Sequence, residues 1–220
     1  YVVGVINRGT NTCTVAGSVN TQPNEITPEP LPISQTQIDN WKTDATNGSV
    51  VNGNYNIGNN QSVSLGPVKI TGNLIMGNNS ILTINGTIYV VGDIIFGNTD
   101  TIRLASSYGS LGGVIVLDGT VDTGNSSTLS GSGQAGSYLL ILSTSTSSSA
   151  LQISNNATGA LFYASAGTVV VNNNVQVKGL TGYRISLNNN ATIIYESGLA
   201  NTQFTSGPSG GWKVSSWGEQ

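Results

Sequence analysis

The stretch Ile70–Gly97, ITGNLIMGNNSILTINGTIYVVGDIIFG, decides how this chain folds. Apolar and small polar residues alternate up to a break at Gly77-Asn78-Asn79, alternate again, and reach a second break at Gly97-Asn98-Thr99. Leu74 and Met76, then Leu82 and Ile84, then Ile88 and Val90 take one side. Asn73, Thr83, Asn85, Thr87 and Tyr89 lie between them, the period of two that a half-buried strand requires. The stretch is one turn of a β-solenoid written nearly twice.

The break recurs at Asn59, Asn78, Asn98, Asn125, Asn155, Asn173 and Asn189, at intervals of 19, 20, 27, 30, 18 and 16 residues. Units this short cannot bury an apolar face alone and form a continuous core only by stacking. The pattern therefore predicts an all-β fold, a right-handed, single-chain parallel β-solenoid (β-helix) of about seven to nine coils with one short capping helix. The two long intervals read as coils with insertions or as an extra coil whose break has lost its Asn pair. Asn suits the break because it tolerates positive φ, and because stacked Asn amides hydrogen-bond to one another. The expectation is an internal Asn ladder along the axis; the competing reading is a set of solvated corner asparagines.

Composition bounds the function. Of 220 residues only 8% are charged, against about 25% in average proteins, and the net charge is −3. A neutral surface rich in Asn, Ser, Thr and Gly fits an extracellular or cell-surface β protein. The basic residues form no cluster, which argues against nucleic-acid binding. Cys13 is alone, so no intrachain disulfide forms, and it reads as a small buried strand residue. No run of 18 apolar residues spans a membrane.

Three regions follow. Residues 1–22 form an N-terminal strand arm or incomplete coils. Tyr1, Val2, Val3, Val5 and Ile6 open the chain directly on an apolar strand, and the expectation is that a targeting or anchoring segment has been removed or that the chain belongs to a longer one. Such a strand is suited to pairing with a neighbouring molecule. Residues 23–48 hold a Pro-rich linker and a capping helix: Ser34 is the N-cap with Gln37 three residues on, Ile33 and Ile38 form a hydrophobic staple, and Ile38, Trp41 and Ala45 share a face. Residues 49–220 are the solenoid, with loops at 105–113 and 143–150, a buried run at 114–117, an apolar run at 138–142 whose length suits a strand buried on both sides, and Phe204, Trp212 and Trp217 folding over the last coil. Ile38 and Trp41 with these three aromatics are the expected caps.

The search for chemistry returns little. There is no histidine, which removes the commonest general base, the triads built on it and most zinc sites. Asp93 and Asp118 each follow an apolar run and adjoin a Gly, so they are candidates to stack on neighbouring coils as an acid pair or calcium site; Asp122 lies four residues on. The competing reading is solvated turn aspartates. Thr10, Thr12 and Thr14 make a hydroxyl run of the sort that meets ice, but later coils do not repeat it. No catalytic residue, metal or cofactor is expected.

Several phrases stand together: LPIS at 31–34 with Gln37-Ile38 and Trp41-Lys42, YNIGNNQSVSLGP at 55–67, KITGNL at 69–74, and YESGLAN at 195–201 followed by Phe204, Ser206-Gly207-Pro208 and Trp212. Together they resemble bacterial β-helical surface proteins of pilin-like or pilus-assembly-associated type, in which a prepilin-type hydrophobic helix precedes the solenoid. That helix is not among these residues. The resemblance implies a structural role and no active site. The expectation is a non-enzymatic extracellular protein, pilus-associated or a self-assembling filament subunit, with other copies or other surface proteins as partners. The rival is an adhesin that binds glycans through exposed Tyr89, Tyr108 or Tyr163 along one face.

Overall fold

A computed structural model describes residues 31–194, 204–207 and 210–211, with 205–207 and 210–211 as backbone alone. The chain divides into two compact units, Tyr1–Pro32 and Ile33–Gln220. The arm at 1–22, with Tyr1, Val2, Val3, Val5, Ile6, Cys13 and the Thr10–Thr14 run, lies outside the described residues, as do Trp212 and Trp217. The helix belongs with the second unit.

Three columns of parallel pairing define a single-chain β-solenoid. On the first face Val51, Ile70, Val90, Leu117, Ser143, Ala164 and Gly182 pair in succession. On the second the series is Tyr55, Leu74, Ile94, Val121, Leu151, Val169 and Ile185. On the third it is Val63, Leu82, Ile102, Leu129, Gly159, Val177 and Ile193. Each column has seven members, so the described residues form seven layers, covering 50–65, 68–84, 88–104, 113–130, 139–159, 161–177 and 179–193. No layer is hidden in the long intervals. They hold insertions: a 3-10 turn at Ser106–Tyr108 that drives Tyr108 into the core, and loops at 131–138 and 144–150.

Inward residues of the three faces form one core. Leu74, Leu82, Ile94, Ile102, Ile115 and Ile141 have no exposed surface, and burying each such side chain contributes about 1.5–3 kcal/mol.

The first face is apolar on both sides. Ile115, Leu117, Leu139 and Ile141 point into the core, whereas Val114, Val116, Leu140 and Leu142 point outward and would meet water if left bare. The helix α1, Gln35–Gly48, covers them. Ser34 caps it, its hydroxyl accepting the Gln37 N–H at 3.2 Å. Ile33, Ile38 and Trp41 are buried in the same cluster as the outer residues of the first face. Tyr163 of the sixth layer donates to the Ile33 carbonyl at 3.2 Å, while Ser49, just past the other helix end, donates to the Pro67 carbonyl at the start of the second. Fourteen helical residues span about 21 Å, and four layer steps span about 19 Å. The helix therefore runs down the flank against the layer order, and does not close an end. Phe204 is likewise not over the last coil: it is fully buried in the outer cluster and bridges Gly112 beside the fourth layer. The flank is one of the two places such a helix is expected to cover, so only Phe204 is a correction; both pack on the apolar outer side of the first face.

Candidate functional site

The corners carry most of the polar organisation. Asn59, Asn78, Asn98, Asn125, Asn155, Asn173 and Asn189 occupy one corner, and the residue after each takes positive φ: Asn60, Asn79, Thr99, Ser126, Asn156, Asn174 and Asn190, all between 56° and 60°. The repeated Gly-Asn-Asn therefore divides its labour. The second residue makes the left-handed bend, while the first carries the ladder. Gly124, at φ +61, takes the step before Asn125 because a Cβ there would fall 1.8 Å from the Gly97 carbonyl oxygen.

The ladder has a direction. Asn78 N–H donates to the Asn59 amide oxygen and Asn98 N–H to that of Asn78, each at 2.8 Å, and Asn125 N–H to that of Asn98 at 3.3 Å. Asn173 N–H donates to the Asn155 amide oxygen at 3.1 Å. In the opposite sense Asn60, Asn79, Thr99 and Ser126 donate their N–H to the carbonyls of Asn78, Asn98, Asn125 and Asn155. The asparagines are exposed, so the ladder runs along the outside edge and not through the interior. The interior has no room for it because inward positions are filled by aliphatic side chains.

A second ladder stands at the next corner. Asn73 N–H donates to the Asn54 amide oxygen, Asp93 N–H to that of Asn73, and Thr120 N–H to the Asp93 carboxylate, at 2.9, 2.9 and 2.7 Å. Its signal in the sequence is the recurring Gly before each of these residues, at 53, 72, 92 and 119.

Asp93 and Asp118 do not form an acid pair with free carboxylates. Asp93 is held by Thr120 N–H and hydroxyl. Asp118 accepts Lys42 Nζ at 2.5 Å, Thr144 Oγ1 at 2.8 Å and Tyr89 OH at 2.5 Å, pinning α1 to the third, fourth and fifth layers. Lys42 and Lys69 also stand 5.1 and 5.3 Å from the centre of the Tyr89 ring. Partial burial pushes the Asp118 carboxyl up, but the three hydrogen bonds and the Lys42 charge outweigh it and hold it below the ordinary value. Tyr89 is pushed up, first by burial and then by its bond to Asp118. Asp122 accepts from Gly124 N–H, Ser154 hydroxyl and the Gln152 amide.

Sequence reasoning passed over Asp100. It is fully buried at the third-face corner, aligned with Ser80 below and Ser127 above. One carboxylate oxygen accepts Ser80 N–H at 2.8 Å and its hydroxyl at 3.1 Å; the other, like Ser127 Oγ, is buried with no hydrogen-bond partner. Burial raises the carboxyl above its ordinary value against the pull of the Ser80 and Gly97 hydrogen bonds.

Tyr89, Tyr108 and Tyr163 are 8%, 1% and 0% exposed, so they offer no stacking platform. A cleft of about 480 Å³ lies where the 131–137 loop overhangs the third face, lined by Ser130, Gln134, Ser137, Thr158, Gln176 and Ile194 among others. No group of three or more potential metal ligands, and no helix long and apolar enough to cross a membrane, occurs among the described residues. No family model, no curated protein and no solved structure matches the chain.

Proposed function

We propose that this is a non-enzymatic extracellular structural protein, a subunit of a self-assembling surface filament or a pilus-associated component. One observation carries the reading: the carboxylates of Asp93, Asp118 and Asp122 are all bound to the protein's own scaffold, where they tie layer to layer or helix to sheet. The low charge and the resemblance to pilin-like surface proteins support the same reading. Negative-stain electron microscopy of the purified protein at several concentrations tests it. Long uniform fibres are expected; isolated short rods at every concentration overturn self-assembly.

The second reading, a glycan-binding surface module, is favoured by the 480 Å³ cleft with its hydroxyl and amide lining. Specific binding of a glycan by the monomer, lost on Gln134→Ala and Gln176→Ala, would place it first.

A further inference from the structure

Both ends of the solenoid are unfinished among the described residues, and they share the spacing from the second-face column to the third, Tyr55 to Val63 in the first layer and Ile185 to Ile193 in the seventh. In the seventh layer the inward positions Ile185, Leu187 and Ile193 are 42%, 52% and 45% exposed, whereas Val169, Val171 and Val177 directly beneath them are 0–1% exposed. In the first layer Ile57 is buried but Val51, Tyr55, Val63 and Leu65 are only half-buried, although Ile70, Leu74, Leu82 and Ile84 above them have no exposed surface. Among the described residues the strands of each end layer pair on one side only. Natural sheet edges are usually blunted by charge or proline. Residues 50–65 contain neither, and residues 179–194 contain one charge, Arg184.

The hydrogen-bonding ladder says what fits there. At four steps, from Asn59 to Asn125 and from Asn155 to Asn173, a ladder asparagine offers its amide oxygen to the N–H of the asparagine one layer on, and at all six the residue after it sends its own N–H to that next asparagine's carbonyl. At the seventh layer Asn189 presents the oxygen and Asn190 the N–H. At the first, Asn59 presents the complementary N–H and carbonyl. A copy placed top to top would set like against like.

We propose that the seventh layer of one molecule seats on the first layer of a second copy, head to tail and in register, continuing the Asn ladder and the core columns across the junction. Such a contact is heterologous and, built on translation along the axis, does not close, so it propagates a filament. The proposal rests on the filament reading above and names its junction.

Cysteine cross-linking in a Cys13→Ser background tests it. Across the junction residue 189 of one copy lies one layer, about 4.8 Å, from residue 59 of the next, within the range of about 4.4–6.8 Å that a disulfide spans. Within one molecule the two are six layers, about 29 Å, apart. Two matched pairs, Asn59→Cys/Asn189→Cys and Ser62→Cys/Thr192→Cys, lie on exposed positions at the corner and on the third face. After mild oxidation each is expected to give a series of dimers, trimers and longer species on a non-reducing gel. The mismatched pair Asn59→Cys/Thr192→Cys is expected to give at least tenfold less. Wild-type fibres with no series from either matched pair overturn the junction and leave the filament reading standing, as when the chain's own tail covers the last layer. Neither fibres nor a series overturns both. A mismatched pair that cross-links as well as the matched ones overturns the register. Circular dichroism of each variant confirms the fold, and the second matched pair decides the matter if the first fails to fold.

Discussion

The outer surfaces of the first and third faces are built from the same backbone and could hardly differ more. On the first face, outward Val116, Leu142 and Tyr163 stack in one column and are fully buried in the cluster that Ile33, α1 and Phe204 complete. On the third face the outward column is Ser62, Ile81, Thr101, Thr128, Thr158, Gln176 and Thr192, open to solvent for most of its length. The strand period is obeyed on both faces inside and only on the third outside. A solenoid face is thus finished in one of two ways, by hydroxyls that tolerate water or by hydrocarbon that demands a cover. The helix is the consequence of the second choice.

The largest effect is therefore expected at the cover. Trp41→Ala removes a fully buried indole between α1 and the first face, and a cavity of that kind costs about 3–5 kcal/mol. Urea denaturation should show that loss, with increased binding of a hydrophobic dye as Val116 and Leu142 are uncovered. A loss under about 0.5 kcal/mol, within the ordinary range of surface changes, would break the comparison, because the first face would then not need its helix.

What could be read in the sequence was what is local. The alternation, the spacing of the Asn breaks, the Ser34 cap and the Ile38-Trp41-Ala45 stripe depend on residues a few positions apart, and the fold class followed from them. Partnerships across layers were hidden. Asp118 finds Lys42 across 76 residues, and nothing near Asp118 announces it. Tyr89 and Tyr163 read as candidates for an exposed row because an outward tyrosine reads the same whether its face is bare or covered, and Tyr108 because nothing local shows that its turn folds it into the core. Asn is equally at home in a buried or a solvated corner, so the ladder's position on the outside was not decided by residue type. The Asn54-Asn73-Asp93-Thr120 ladder was within reach, because each member follows a Gly at the spacing already noticed at the other corner.

A middle-sized effect separates the outer clamp from the inner corner by pH. Asp118 has a depressed pKa in the fold, so its contribution is present above the unfolded value of about 3.9 and is lost as pH falls through the lower folded value. Asp100 has a raised pKa; its contribution is greatest below the unfolded value and is lost as pH rises through the folded one. Asp118→Asn should cost about 1 kcal/mol at neutral pH, since the ion pair is partly exposed to solvent, and should flatten the acid side of the stability profile. Asp100→Asn should instead remove the decline that begins above pH 4 or so. Thermal unfolding of both variants from pH 3 to 8 measures this, and identical profiles would mean that neither carboxylate titrates with its layer.

The smallest effect is the most demanding of the comparison. Thr158 is exposed on the third face, with Thr128 below it and Gln176 above, and no side-chain hydrogen bond holds any of the three outward groups to its neighbour. Thr158→Ala should therefore change stability by no more than about 0.5 kcal/mol, in urea titrations run beside Trp41→Ala. Position 158 keeps a place in the strand whatever it carries, because its backbone pairs with the layers on both sides and its side chain meets water. A cost of about 2 kcal/mol or more, the range of buried truncations, would show that the hydroxyl column is a packed surface in solution and that something covers the third face as α1 covers the first.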